Sequence, residues 1–376
     1  MAEGWPSWVA GELARVRAAG RWRDVRDLDA RGPAGTLVAH GAPRAVVSFA
    51  GNDYLGLSTH PVVVAAAADA LERWGSGAGA SRLVTGSRPV HSDLEAALAR
   101  WKGEEAALLF PTGYAANLGV LATLGHAGAR ILSDERNHAS IVDGCRLARA
   151  EVAVFAHADV DHAAALLAGD PRPALVVTDA VFSMDGDVAP LAGLAEVCAS
   201  AGALLVVDEA HVVPGFGLPA SGDLRVGTLS KALGSMGGFV AGPRPLVDLV
   251  RNRARPSIYS TAVPPSAAAA ALAAMAVVRS AEGVARAVRL RALVDRVAPG
   301  HPSPIVPVVV GDEDAAVAAS DRLLDAGILV PAIRPPTVAP GTSRLRVTLS
   351  AAHTDAQVDA LLAALATLAP SVARAP

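Results

Sequence analysis

The stretch Leu204-Leu205-Val206-Val207-Asp208-Glu209-Ala210-His211 decides the reading of this chain. Four consecutive apolar residues, two of them β-branched, read as a strand covered on both faces; a strand with one wet face would alternate. A carboxylate closes the run, and an imidazole follows three residues later. Outward from it, short apolar runs at 106–110, 152–155, 175–178 and 239–241, with Ile131-Leu132 strand-like as well, recur between alanine-rich helical stretches. Strands alternating with helices predict βαβ units and a mostly parallel, doubly covered sheet, an α/β fold. Ligands of such sheets gather at the carboxyl ends of the strands, where Asp208 and His211 stand.

Lysine is nearly absent. Of 33 Lys and Arg residues, only Lys102 and Lys231 are lysine. Lys231 lies in Thr228-Leu229-Ser230-Lys231-Ala232-Leu233-Gly234, between a short apolar strand and a glycine-rich stretch. Arginine replaces lysine as a solvated charge but not as an amine nucleophile, because the guanidinium stays protonated. Lys231 is therefore a candidate Schiff-base lysine, with a chance surface lysine as the plain alternative. Beside it, Asp208 can keep a pyridine nitrogen protonated and His211 can reach a phenolic oxygen, which are the partners a pyridoxal phosphate ring needs as an electron sink. Taken without Lys231, the same pair reads as a helix-capping aspartate and a packed histidine.

Four further segments carry candidate groups. Pro111-Thr112-Gly113-Tyr114-Ala115-Ala116-Asn117 follows an expected strand and opens a helix, a place for a phosphate or an ordinary strand-to-helix turn. Thr228 and Ser230 can add hydroxyls there. His138, in Asn137-His138-Ala139-Ser140, can stack on a conjugated ring and exchange a proton, or be structural. Phe182-Ser183-Met184-Asp185-Gly186-Asp187 reads as a tight turn that projects Ser183 at a strand's carboxyl end. In Ser343-Arg344-Leu345-Arg346-Val347-Thr348 the two arginines share one strand face; one is expected to grip a carboxylate and the other to be exposed.

The chain has 376 residues, 52% apolar, with net charge −3, which favours two lobes and argues against a nucleic-acid surface. Cys145 and Cys198 lie far apart with no ligand-like spacing, which predicts a reducing, cytoplasmic setting without a metal site. The opening Met1-Ala2-Glu3-Gly4-Trp5-Pro6 has no basic segment followed by an apolar core, so no secretory signal is expected. The greasy run 267–278 is too short to cross a bilayer. A helix at 9–19 and a polar, glycine-containing arm fill residues 1–45; a large domain covers 46–260, a bridging helix after Pro264-Pro265 covers 261–284, and a smaller α+β lobe covers 285–376. That lobe is expected to hold strands 305–310 and 345–349 and helices 315–326 and 355–368. Ser92-Asp93-Leu94-Glu95 reads as a capping box for a helix ending at Gly103.

These motifs, in this order over nearly the whole chain, resemble the α-oxoamine synthases, fold-type I pyridoxal-phosphate enzymes that condense an amino acid with an acyl thioester and release CO2. Ser48-Phe49-Ala50-Gly51-Asn52-Asp53-Tyr54-Leu55-Gly56-Leu57 and Ile258-Tyr259-Ser260-Thr261 belong to the same resemblance. It implies that Lys231 forms the internal aldimine and moves the α-proton, that Asp208 and His211 hold the ring, and that His138 stacks on it. It further implies that Gly113, Tyr114 and Thr228 hold the phosphate, with Ser183 near the ring oxygen. Ser260 and Thr261 would reach the phosphate of a neighbouring subunit in a homodimer. Arg346 and Asn52 would meet the amino acid, Thr337 would lie close to substrate, and Arg21 would meet the far carboxylate of the acyl chain. The segment Ala332-Ile333-Arg334-Pro335-Pro336-Thr337-Val338 is similar to the members that serve biotin biosynthesis. That implies L-alanine and a pimeloyl thioester, on coenzyme A or a carrier protein. A relative using glycine or serine, a cofactor-binding subunit without activity, and an aminotransferase are the other readings. Asp179-Ala180 and Val212-Val213-Pro214-Gly215 depart from the family's usual Glu and its immediate Gly-rich turn.

Overall fold

A computed structural model describes residues 4–38, 43–218, 221–368 and 373–374; Met1-Ala2-Glu3 of the opening lie outside them. The chain begins with α1 (Trp5–Ala18), which has no buried residue, and a meander of β1 (Asp27–Ala30), β2 (Ala34–Val38) and β3 (Arg44–Ser48). The expected arm is thus partly strand. Its inner edge is finished from the far end of the chain, where Ile328 and Leu329 pair in parallel with Val47 and Ser48.

The central sheet holds β4 (Ala106–Phe110), β5 (Arg130–Asp134), β6 (Glu151–Phe155), β7 (Ala174–Asp179), β8 (Leu204–Asp208), β9 (Leu224–Thr228) and β10 (Gly238–Gly242), in the order β4-β10-β9-β8-β7-β5-β6. Strands β5 to β9 pair in parallel, and β10 runs antiparallel to both neighbours. The alternation of side chains across a strand explains the double covering. Leu175, Val177 and Val206 enter one core layer, whereas Val176, Leu205 and Val207 enter the other. Each such side chain contributes about 1.5–3 kcal/mol on burial, so the apolar runs read from the sequence are also what holds the sheet between its helices.

Those helices are α2 (Pro61–Trp74), α3 (Pro89–Lys102), α4 (Gly113–Leu124), α5 (Ala139–Leu147), α6 (Val160–Leu167), α7 (Leu191–Ala201), α8 (Arg244–Arg253) and the short α9 (Arg255–Ile258). The start of α3 differs from the expected capping box. Pro89 presets the first turn, Arg88 caps it, and the Arg88 amide donates to His91 Nδ1 at 2.9 Å. Ser92 and Glu95 therefore lie inside the helix, and Glu95 is spent on Arg82 at 2.9 Å. The helix stops at Gly103 in the left-handed conformation, φ 70°, as expected.

After Pro264, α10 (Pro265–Val278) packs against α2 and α3, and α11 (Ala281–Val297) follows at a bend of 80°. Among the described residues no single helix is long and apolar enough to cross a membrane. The C-terminal part adds β11 (Ile305–Gly311), α12 (Glu313–Asp325), β12 (Ile328–Leu329), β13 (Ala332–Ile333), β14 (Ser343–Thr348), α13 (Asp355–Ala366) and β15 (Ala373–Arg374), with sheet order β13-β14-β11-β15.

Candidate active site

Strands β7, β8 and β9 end side by side at Asp179, Asp208 and Thr228, so the parallel topology sets polar groups along one edge. Asp208 is buried and has one partner on each oxygen. Its Oδ1 accepts from the Ala210 amide at 2.8 Å, and its Oδ2 accepts from Asn117 Nδ2 at 2.6 Å. Asn117 comes from the second turn of α4 and also donates to Ser140 Oγ at 2.9 Å. The chain then turns, and buried His211 contacts Lys231 Nζ through Nε2 at 2.8 Å and Tyr54 Oη through Nδ1 at 2.5 Å. Lys231 arrives from the other side, three residues beyond β9.

This setting bends the chemistry of each group. Burial lowers Lys231 below the usual lysine range; nearby Asp208 and Asp179 oppose the shift, and Arg346 adds to it. Burial, with the charges of Lys231 and Arg346, holds His211 well below the usual imidazole range. Lys231 is thus a weaker base than an ordinary lysine, and His211 favours its neutral ring.

A cradle lies at the start of α4. Thr112 caps the helix, its Oγ1 accepting from the Ala115 amide at 3.0 Å. That leaves the first amides of the helix, at Gly113 and Tyr114, without partners inside the helix. A Cβ on Gly113 would stand 3.2 Å from Thr228 Cβ, and one on Gly238 would stand 2.4 Å from the Gly113 amide. Glycine is required where β10 and α4 meet. Thr228 Oγ1 and Ser230 Oγ lie 2.6 Å apart on the same side. Tyr114 is exposed and its hydroxyl is bonded to Asp143.

His138 caps α5. Its Nδ1 lies 2.7 Å from Ser140 Oγ, and its amide donates to Asp179 Oδ2 at 2.7 Å. Loss of solvent around the ring lowers its basicity; the Asp208 carboxylate opposes this and Lys231 reinforces it. The Phe182–Asp187 turn stands opposite. The Ser183 carbonyl accepts from Arg346 Nε at 2.5 Å, while Asp185 pairs with Arg344. Gly186 sits at φ 71°, and a Cβ there would lie 1.9 Å from the Ile305 carbonyl, so the turn fits only as written. Arg346 also reaches Thr348 Oγ1 at 2.9 Å and Asn52 Oδ1 at 3.2 Å. The expectation that one of the two arginines is exposed is corrected: Arg344 and Arg346 are 6% and 5% exposed. β14 is an inner strand, and the Phe182–Asp187 turn covers its polar face, which the strand's alternation alone does not reveal.

Four candidates lie outside this cluster. Ser260 and Thr261 line a small enclosed cavity with Arg82, His91 and Pro111, and none of their hydrogen bonds reaches Thr228 or Lys231. Arg21 is paired with Glu313 at 2.9 Å, and Thr337 is exposed, its amide donating to the Arg334 carbonyl at 3.0 Å. Arg334 in turn donates to the Gly20 carbonyl at 2.8 Å, which docks the N-terminal segment on this loop. Tyr54, Asn117, Ser140 and Asp179 belong to the cluster but were assigned no role from sequence. The first three stand within quoted motifs, and Asp179 stands at a departure from the family pattern.

The family model described as aminotransferase class I and II matches residues 44–365. The 8-amino-7-oxononanoate synthase of Anaeromyxobacter dehalogenans is 50% identical over 394 residues, covering 99% of this chain and 98% of that one. The synthase of the same name from Methylobacterium nodulans is 48% identical over 370 residues, 96% of each. Among solved structures, Sphingomonas wittichii serine palmitoyltransferase superposes with a TM-score of 0.86 at 33% identity, over 96% of each chain. The 8-amino-7-oxononanoate synthase of Francisella tularensis gives 0.70 at 25% identity, over 86% of this chain and 97% of that one. The chain belongs to the aminotransferase class I and II family of fold-type I pyridoxal-phosphate enzymes and, within it, to the α-oxoamine synthases.

Proposed function

We propose that this chain condenses L-alanine with a pimeloyl thioester, releasing the thiol and CO2, to give 8-amino-7-oxononanoate. It is a pyridoxal-phosphate-dependent C-acyl transferase. The observation that carries the alanine reading is the 50% identity along 99% of the chain to synthases of that name.

The residues present fit the cofactor. A primary amine of lowered basicity stands 2.8 Å from a neutral imidazole, beside a buried carboxylate. A helix start, kept clear by glycine, faces two hydroxyls. Bound there, pyridoxal phosphate supplies a ring that draws electrons from the α-carbon of an attached amino acid. Lys231 is the attachment point and the base that moves the α-proton. Asp208 holds the ring nitrogen protonated, His211 and Ser183 face the ring oxygen, and His138 covers the ring. Gly113, Tyr114 and Thr228 hold the phosphate. Ser260 and Thr261 serve the partner subunit of a cytoplasmic homodimer, a reading that follows the family resemblance. Arg346, fixed by three acceptors, and Asn52 receive the alanine carboxylate. Thr337 and Arg21 attend the acyl chain. The alanine α-carbon gives its proton to Lys231 and bonds to the thioester carbonyl carbon; the thiolate leaves and takes up a proton. The alanine carboxylate then departs as CO2, and the α-carbon takes a proton in its place.

A second reading, serine with a long acyl chain, is favoured by the TM-score of 0.86 to serine palmitoyltransferase. One panel separates them: L-alanine, L-serine and glycine, each with pimeloyl-CoA and palmitoyl-CoA, scored by thiol release and product mass. Turnover with L-alanine and pimeloyl-CoA is expected. Turnover confined to serine and palmitoyl-CoA overturns the proposal.

A further inference from the structure

An unbroken chain of polar contacts runs from Arg346 to Lys231. Arg346 Nη2 meets Asn52 Oδ1 at 3.2 Å, Asn52 Oδ1 meets Tyr54 Oη at 3.2 Å, Tyr54 Oη meets His211 Nδ1 at 2.5 Å, and His211 Nε2 meets Lys231 Nζ at 2.8 Å. Tyr54 has no exposed surface, so its hydroxyl proton must go to a protein acceptor.

We propose that Tyr54 is a positioning residue that keeps Lys231 unprotonated through His211: its hydroxyl donates to His211 Nδ1, which places the ring proton on Nε2 and aims it at the amine lone pair. The distances choose this direction. Tyr54 Oη lies within hydrogen-bond distance of two acceptors, His211 Nδ1 at 2.5 Å and Asn52 Oδ1 at 3.2 Å; the shorter contact takes the single proton, and Asn52 Oδ1 is already served by Arg346. A neutral imidazole has one donor and one acceptor, so a proton received at Nδ1's lone pair fixes Nε2 as the donor. Only a free amine can accept it; an ammonium at Lys231 would turn its own proton toward Nε2 and reverse the whole chain.

The surrounding charges agree. Burial raises Tyr54 above the usual phenol range, so the hydroxyl keeps its proton. Lys231 is faced by Asp208 from β8, Asp179 from β7 and Arg346 from β14, with His138 at the start of α5 also within electrostatic reach. The carboxylates favour an ammonium, whereas burial and Arg346 oppose it. A Tyr54→Phe change alters none of these charges and removes only the hydroxyl. The same tautomer gives His211 the donor that its proposed contact with the cofactor's ring oxygen needs.

The inference rests on the reading of Lys231 as the attachment point, and its test separates the two. Full-length wild-type and Tyr54→Phe chains are incubated with pyridoxal phosphate across a pH series, fixed with borohydride and weighed intact. The midpoint for mass gain in Tyr54→Phe is expected about one pH unit higher, roughly tenfold less attachment below it. An unchanged midpoint overturns the role of Tyr54 and leaves Lys231 as it was. A wild-type chain that gains no mass at any pH removes the attachment reading, and the inference with it. Nitrogen NMR of isotope-labelled histidine in the wild-type chain, with His211 assigned by His211→Gln, gives an arm that needs no Tyr54 variant. The Nε2–H tautomer is expected, and the Nδ1–H tautomer overturns the proposal.

Discussion

Asp179 and Asp208 end adjacent parallel strands in register, so two buried carboxylates stand side by side within electrostatic reach of Lys231. They are not equivalent. Asp208 is held by a backbone amide and an asparagine, whereas Asp179 accepts the His138 amide, and burial with the Asp208 charge pushes its carboxyl well above the usual range.

A raised carboxyl stabilises the fold below its unfolded pKa, and that stability is lost as pH rises through the folded value. Asp179→Asn keeps an acceptor for His138 and removes the titration. Its melting temperature is expected to match the wild type near pH 4 and exceed it at pH 8. Each tenfold by which folding tightens the proton on Asp179 makes that gap about 1.4 kcal/mol wider. Thermal unfolding at the two pH values checks this; equal curves at both would show that the Asp179 charge costs nothing.

Lys231→Ala is expected to lower product formation by about 10³-fold or more while leaving the fold intact. After borohydride, no pyridoxal phosphate should be found on this stretch of the chain. The only other lysine, Lys102, is tied to Glu209 at 2.5 Å. Peptide mapping of the reduced protein therefore tests the assignment directly, and a modified peptide with normal turnover would refute it.

Arg346→Lys keeps the charge but cannot reach Ser183, Thr348 and Asn52 together. The KM for L-alanine is expected to rise about tenfold or more, with the KM for the acyl thioester little changed. Equal changes in both would place Arg346 elsewhere in the reaction.

His157 lies between Asp134 at 3.0 Å and Asp187 at 2.6 Å. Burial works against its charge, but the two carboxylates outweigh burial and raise it to about 9. Stability from this clamp is complete below the unfolded histidine value of about 6.5 and is lost as pH rises toward 9. His157→Gln should flatten the fall in melting temperature between those values. A fall of the same size in both chains would mean that the clamp contributes nothing.

The sheet was legible because strands such as β4, β7 and β8 are apolar runs between helix-forming stretches, and a doubly covered strand has no alternation to hide it. Lys231, Asp208 and His211 were legible for a different reason: their chemistry has few substitutes, and they follow strand ends. Asn117 and Tyr54 were not, since an amide and a phenol inside apolar motifs carry no signal of where they point until α4 and the 52–57 segment are folded against β8. The burial of both Arg344 and Arg346 was hidden likewise, because it depends on a turn more than 150 residues earlier in the chain. The start of α3 was misplaced because Ser92 and Glu95 satisfy a local rule that Pro89 pre-empts.

The parallel pairing of Val47 with Ile328 has a further consequence. During synthesis from the N-terminus, that edge of β3 waits for its neighbour until nearly the entire chain has left the ribosome. Fragments that end before residue 328 should carry an open strand edge, ready to pair with another copy. Assembly of the N-terminal sheet is thus a late event, and premature termination turns it into a site of aggregation.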